Sequence, residues 1–219
     1  MSRIDLGIGI GKGRNRVAQD AGEPPFPVNA VHFDGTNDYL TRDADLTGSV
    51  DGPECLASLW FNILGNDGLQ FVIFSGVGSR LFIGRIADGR LDFRFLNAAG
   101  ATIFRTLTTE TYDSVTNPGW HHLLIAVQLD ATPVGLVYID DIVPPLTEST
   151  APTTGDIDWT RLDYFVSTSS SAGAQKMNGD LSELYVTNEF LDIDVQANRR
   201  KFINLDLKPV DLGSDGSDP

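Results

Sequence analysis

Asn117-Pro-Gly-Trp-His-His-Leu-Leu-Ile-Ala-Val-Gln-Leu-Asp130 and, after a short turn, Leu136-Val-Tyr-Ile-Asp-Asp-Ile-Val-Pro-Pro145 decide the fold. Pro118-Gly119 stops whatever precedes them. Side chains alternate across a strand, so His121, Leu123, Ile125, Val127 and Leu129 share one face. Trp120, His122, Leu124, Ala126 and Gln128 share the other. Beyond His121 the first face is wholly apolar, and the second is half apolar. Such a strand lies inside a sheet, covered on one side and partly on the other. Asp130-Ala-Thr-Pro-Val-Gly135 has hairpin length and turn residues. The return strand is expected over Leu136–Val143, ending at Pro144-Pro145, which donate no ladder hydrogen bonds.

Working outward, further strands are expected at Ala30–Phe33 and Asp38–Thr41, around the turn Asp34-Gly-Thr-Asn37, and at Cys55–Leu64 and Leu69–Ser75. Arg80–Ala87 turns at Asp88-Gly89 into Leu91–Leu96, with Leu91, Phe93 and Phe95 on one face and Asp92, Arg94 and Leu96 on the other. Ala101–Thr108, Leu162–Ser167 and Met177–Thr187 complete the set. Tyr112–Asn117 leads into the central hairpin. Residues 146–160 read as a polar loop, residues 168–176 as a flexible one. Asp192–Phe202 reads as a short helix, capped by Asp192 or Asp194, with Arg199, Arg200 and Lys201 at its C-terminal end. About a dozen short strands without alternating helices indicate an all-β, two-sheet antiparallel sandwich. The expected organisation is an extended arm over 1–29, a sandwich domain over 30–190, and a helix with an acidic tail over 191–219.

Three stretches then carry a resemblance. The Trp120-His-His-Leu123 strand with Val137-Tyr-Ile-Asp-Asp141 resembles the penultimate hairpin of concanavalin A-like jelly rolls, in particular the laminin-G-like branch. Val31-His-Phe-Asp-Gly-Thr-Asn-Asp-Tyr-Leu40 resembles the opening of that branch, and Gly179-Asp-Leu-Ser-Glu-Leu-Tyr-Val186 its closing strand. Asn198-Arg-Arg-Lys-Phe-Ile203 with Lys208-Pro-Val-Asp-Leu-Gly-Ser-Asp-Gly216, together with the glycine-rich start, resembles virion-associated proteins of tailed bacteriophages that carry this domain. The resemblance implies a decoration protein on capsid or tail, located in the virion and assembled in the bacterial cytoplasm. It implies that more chain follows, so the tail reads as a processed or truncated end.

The composition agrees with one such domain: 219 residues, 41% hydrophobic and 21% charged. No apolar run approaches the ~20 residues of a membrane span. The start is too polar and glycine-rich for a signal-peptide core. A single cysteine, Cys55, excludes an internal disulfide and is expected to be a buried, inert thiol. The net charge is −14; residues 1–16 carry +3 (Arg3, Lys12, Arg14 and Arg16 against Asp5), which leaves −17 on the rest. An acidic body repels nucleic acid and anionic membrane, so neither is an expected partner. The basic arm reads either as a solvated tail or as an anchor. As an anchor it would lay Ile4, Leu6, Ile8 and Ile10 along the sheet edge of another copy or another virion protein. Homo-oligomerisation follows from that reading.

No catalytic residue is expected. Retaining glycoside hydrolysis needs two carboxylates roughly 5 Å apart, and none of Glu23, Glu54, Glu110, Glu148, Glu183 and Glu189 lies two residues from another acid inside a convincing strand. Asp180 and Glu183 point to opposite faces. His121 and His122 also point to opposite faces and cannot chelate one metal together. His121 is expected inside the sandwich with a backbone partner, His122 on the outer face. Calcium is the one cofactor the sequence offers. Asp43, Asp45, Thr47, Asp51 and Glu54 stand at positions 1, 3, 5, 9 and 12 of a ligand loop, with Gly48 at 6. The ordinary alternative is an Asp- and Gly-rich surface loop. From the resemblance, Asp34, Asn37 and Asp180 match positions near a structural calcium of some relatives. Glycan binding, also implied by the fold, needs an exposed aromatic platform. Trp159, Tyr164 and Tyr112 are the candidates, unless Trp159 plugs an end of the sandwich. The rival functions are a polysaccharide-degrading tail enzyme and a free lectin.

Overall fold

The computed structural model describes residues 30–42, 48, 50–65, 71–76, 80–160, 163–169, 175–210 and 212. The decisive hairpin forms β8 (Trp120–Gln128) and β9 (Val134–Ile139), in the register Leu124↔Tyr138 and Val127↔Gly135. β9 ends four residues earlier than the sequence suggested. Asp140 and Asp141 both adopt positive φ, 52° and 64°, and reverse the chain in a tight turn. Ile139 and Ile142 exchange backbone hydrogen bonds across it at 2.9 and 3.0 Å. Two left-handed residues match the twist of an antiparallel pair, the geometry usually met with Asn or Gly.

β8 lies in a five-stranded sheet, between β9 and β3 (Glu54–Gly65); β12 (Asn178–Thr187) and β1 (Val31–Asp34) follow on the far side of β3. The second sheet has seven strands. In spatial order they are β10 (Leu146–Thr150), β7 (Thr102–Thr111), β6 (Arg90–Leu96), β5 (Leu81–Arg85), β4 (Phe71–Gly76), β11 (Tyr164–Val166) and β2 (Leu40–Arg42). Every strand pair is antiparallel. The result is the all-β, two-sheet jelly-roll sandwich that the alternating apolar residues required. Between the sheets Leu59, Phe61, Leu123, Ile125 and Val127 meet Leu81, Ile83, Leu91, Phe93 and Phe95. Cys55 is buried in the same layer, and burial alone pushes its thiol pKa well up, so it is an inert thiol.

The stretch expected as a polar loop after Pro145 begins instead as a strand. Leu146–Thr150 pairs with β7 at the sheet edge, Leu146 opposite Thr108. Its threonines are β-branched and suit a pleated edge, which needs only one paired side. The expected helix over Asp192–Phe202 contracts to α1 (Gln196–Arg199), whose N-cap is Val195 with no side-chain cap. Asp192 and Asp194 are engaged elsewhere: Asp192 Oδ1 accepts the Asp194 amide, and Asp194 accepts the Tyr138 hydroxyl at 2.9 Å. Arg199 and Arg200 both donate to Asp141, and Arg199 also to the Ile193 and Asp194 carbonyls that precede α1. One turn of helix is costly to nucleate, so tertiary partners decide this segment.

That segment covers the outer face of the five-stranded sheet. Ile193, Phe202 and Leu212 pack on Leu56, Leu124, Ala126 and Tyr138 in a second apolar cluster. β8 is therefore dry on both sides. Truncation of Ile125 to Ala should lower the unfolding free energy by about 2–5 kcal/mol, read from urea denaturation. A Gly179→Ala change should cost at least as much, because the new Cβ would lie 2.2 Å from the backbone oxygen of Asn62. Gly52→Ala, whose Cβ meets nothing nearer than 4.0 Å, should be mild by the same measurement.

Candidate functional site

The three aromatic candidates are structural. Trp159 is 0% exposed, Tyr164 2% and Tyr112 4%. Trp159 plugs the sandwich: its Nε1 donates to the Glu54 carbonyl at 3.1 Å, and its own carbonyl accepts the Tyr164 hydroxyl at 2.6 Å. Tyr112 packs edge-on against Phe61 and His121. None of the three presents a ring to solvent, so the expected platform is absent at these positions. Indole and phenol rings carry large apolar area, and a sandwich end is where that area is buried with the polar tip still paired.

The calcium candidates can be followed only in part. Asp51 Oδ1 accepts the backbone amides of Trp159 and Thr160, each at 3.0 Å, and so clamps the Trp159 loop. Glu54 Oε1 is 3.4 Å from the Gln128 amide. Asp43 and Asp45 lie outside the described residues. Asp34 Oδ1 caps its own turn, accepting from Thr36 at 2.7 Å and Asn37 at 3.0 Å, and the Thr36 amide is the chief reason its pKa is lowered. Asp180 pairs with His32 Nδ1 at 2.7 Å instead of with Asp34 or Asn37. Among the described residues no group of three His, Cys, Asp or Glu is arranged to hold a metal.

The two histidines diverge as alternation demands. His121 points inward, with Nδ1 2.7 Å from Asp140 and Nε2 3.1 Å from the Asn117 carbonyl. Its expected backbone partner is present, joined by a carboxylate the sequence did not suggest. Burial opposes its charge, but Asp140 outweighs that and raises the pKa. His122 takes the outer face, yet is fully buried there. Nε2 lies 2.9 Å from Ser58 Oγ and the ring tilts on Trp60 at 4.8 Å between centroids. Burial drives its pKa down to about 4, so it is neutral at pH 7.

The outer face of the seven-stranded sheet was not singled out by the sequence. Cross-strand register sets one continuous rung on it: Thr150, Arg105, Arg94, Phe82, Ser75, Phe165 and Thr41. Asp92 stands one step along β6, on the same face as Arg94. Arg105 donates to both Asp92 carboxylate oxygens at 2.9 Å, a bidentate pair that raises the arginine's pKa. Asp92 is buried, whereas Arg105 keeps 32% of its side chain exposed. Arg94 lies over the Phe82 ring, 4.9 Å from its centroid. Burial lowers its pKa, partly offset by Asp92 and reinforced by Arg105. The signal available in the sequence was two charges two residues apart in β6, with an arginine at the matching position of β7.

No protein-family model matches the chain, and no curated protein does. Solved structures do. A native heptameric SAP-like pentraxin from Limulus polyphemus aligns with a TM-score of 0.57 at 14% identity, over 87% of this chain and 89% of that one. The binding domain of Paraclostridial Mosquitocidal Protein 1 aligns at 0.55 and 15% identity, over 88% of this chain and 45% of that one. The receptor binding domain of botulinum neurotoxin D aligns at 0.51 and 12% identity, over 89% and 50%. The chain thus spans about half the length of the two toxin structures. At such identities the likeness establishes the fold, a concanavalin A-like jelly roll, and nothing finer.

The neutral, buried His122 has a pH consequence. Its folded pKa lies below the unfolded value of 6.5, so its contribution is intact above pH 6.5. It is lost as pH falls from there toward about 4, costing on the order of 3 kcal/mol. His121 has the opposite sign: its stabilisation is complete below the unfolded pKa and fades as pH rises through its raised folded value. Urea midpoints should therefore fall between pH 6.5 and 4.5, above the usual carboxylate range, and His122→Gln should flatten that slope.

Proposed function

We propose that the chain is a non-enzymatic binding module that recognises host-surface glycans. In this reading it decorates a bacteriophage particle, on capsid or tail, as a homo-oligomer. The observation that carries the binding reading is the sandwich itself. Its interior is filled, Asp51 is committed to backbone amides and Asp92 to an arginine, and polar chemistry is displayed on a sheet face. Such a chain acts through surfaces rather than through a cleft. Two of the structures it resembles are called binding domains, one of them for a receptor, and the third is a heptamer. They support recognition and oligomerisation by analogy of fold.

The virion placement rests on the sequence alone, on the resemblance of Asn198–Gly216 and of the glycine-rich start to phage virion proteins. The arm over residues 1–29 is the proposed anchor to neighbouring virion proteins; it lies outside the described residues. Assembly in the bacterial cytoplasm and residence in the particle follow from the same reading.

Quantitative mass spectrometry of purified particles should find the chain in a fixed ratio to the major capsid or tail protein. Detection only in the particle-free supernatant would replace the virion component with a free lectin. A glycan array should give binding well above background, and incubation with host polysaccharide should release no reducing ends. Released reducing ends would replace the binding module with a tail enzyme.

A further inference from the structure

Arg94 and Arg105 are cross-strand partners, Cα opposite Cα, on the outer face of the seven-stranded sheet. Like charges directly opposite one another are unfavourable in a sheet. Asp92 hydrogen-bonds only one of them, and reaches the other through its charge alone. Both of its oxygens go to Arg105. Arg94 is left with the Phe82 ring beneath it, and its buried Nε reaches no acceptor. Among the described residues its side chain makes no hydrogen bond at all. A guanidinium presents five donors in a planar fork, and a buried donor without an acceptor destabilises the fold that holds it. The two terminal nitrogens, beyond the buried Nε, keep the planar donor geometry that matches an anion's oxygens.

Aromatic stacking, the other common way to hold a sugar, is not offered by the rings expected to supply it or by the ring beside Arg94. Trp159, Tyr164 and Tyr112 are buried, and Phe82 lies under Arg94 at 1% exposure. Charge is what this face displays. Thr147 and Thr150, on the same outer face along β10, add hydroxyls beside the arginines.

We propose that Arg94 anchors a saccharide site on this face, and that its ligands are acidic glycans whose carboxylate or sulfate group docks end-on against the two terminal Nη groups beside Phe82, the Nε being closed to solvent. The proposal rests on the glycan-binding reading and names its ligand class. Carboxylate and sulfate share the recognising chemistry, a planar or near-planar set of anionic oxygens that accepts two parallel N–H bonds. Arg105, already held by Asp92, contributes field rather than a free fork.

The test uses the full chain and three probes: a hyaluronan hexasaccharide with carboxylates only, a heparin hexasaccharide with sulfates as well, and a neutral dextran hexasaccharide. Binding is measured by calorimetry at two salt concentrations, and the Arg94 Nε–H resonance is followed in parallel by NMR. At least one acidic probe should bind and should shift the Arg94 Nε–H signal. Arg94→Met keeps the stem over Phe82 and should weaken that binding by about tenfold or more, as expected for losing a charge-assisted pair. Arg94→Lys should recover only part of it, because the ammonium lacks the fork. Lys201→Gln, on the opposite sheet's covering segment, should leave it unchanged. Thermal melts of each variant confirm folding. If the dextran probe or neutral sugars on an array bind while the acidic probes do not, or if Arg94→Met binds acidic probes as well as the parent chain, the Arg94 site is wrong and glycan recognition stands. If no glycan of either class binds, both readings fall.

Discussion

Strand β8 has no wet face. Its odd-numbered residues fill the space between the two sheets, and its even-numbered residues Leu124 and Ala126 are covered by the segment that follows β12. A strand that is apolar on both sides can be buried only between two layers, and a lone two-sheet sandwich supplies just one of them. The second layer is therefore not an appendage. Ile193, Phe202 and Leu212 take the place of a third sheet over Leu56, Leu124 and Tyr138, and remove from water an apolar strip that would otherwise be an adhesive patch. The core of this protein is consequently three layers deep where that segment covers β3, β8 and β9.

The Asp140–Asp141 turn ties those layers together. Left-handed backbone is unfavourable for residues with a Cβ, though less so for Asp than for bulkier ones, and both aspartates adopt it. What offsets the strain is that the turn aims its two carboxylates in opposite directions. Asp140 reaches inward, to the His121 ring and the His122 amide. Asp141 reaches outward, to Arg199 and Arg200. Arg199 in turn lies over the Tyr138 ring at 4.3 Å and donates to the Ile193 and Asp194 carbonyls. The geometry usually assigned to Asn-Gly is here occupied by residues chosen for charge. Asp141's pKa is lowered despite burial because both arginines donate to it, so the latch is closed at neutral pH.

Alternation along the chain made the sheets legible. Leu91, Phe93 and Phe95 against Asp92 and Arg94 is a pattern that only a strand satisfies, and register follows once the hairpin turns are placed. What alternation cannot say is whether a polar-looking face stays wet. His122 sits on the outer face, as its parity required, but the depth of its burial depends on packing partners distant in sequence, Ser58 and Trp60 among them. The same limit misled the reading of Trp159, Tyr164 and Tyr112, since an aromatic beside a loop looks exposed until the loop folds inward. β10 was missed because a Thr-rich edge strand and a polar loop have nearly the same composition. The helix is shorter than the cap chemistry of Asp192 and Asp194 suggested because Asp192 closes a local turn on the Asp194 amide and Asp194 accepts the Tyr138 hydroxyl of the sheet. The Arg94–Arg105 contact joins β6 to β7 through register alone, and no local window of sequence contains it.

The charge distribution bears on how such a face would work. The body carries −17 outside the first 16 residues, so an anionic polymer approaching from afar is repelled over roughly a Debye length, about 8 Å at physiological salt. The attraction of one unsatisfied guanidinium acts only at contact. On the proposed reading, a single domain would therefore bind an acidic glycan slowly and weakly, and bind it only where the anion can reach the fork. Weak single sites become useful when many copies are held on one scaffold, because a second engagement on the same polymer costs far less entropy than the first. Repulsion at a distance then filters out free polyanions, while a dense array of chains facing a dense array of glycans still adheres. An acidic body with a cationic rung is thus better suited to multivalent display than to action as a soluble monomer, and this joins the oligomeric part of the proposed function to the chemistry of Arg94.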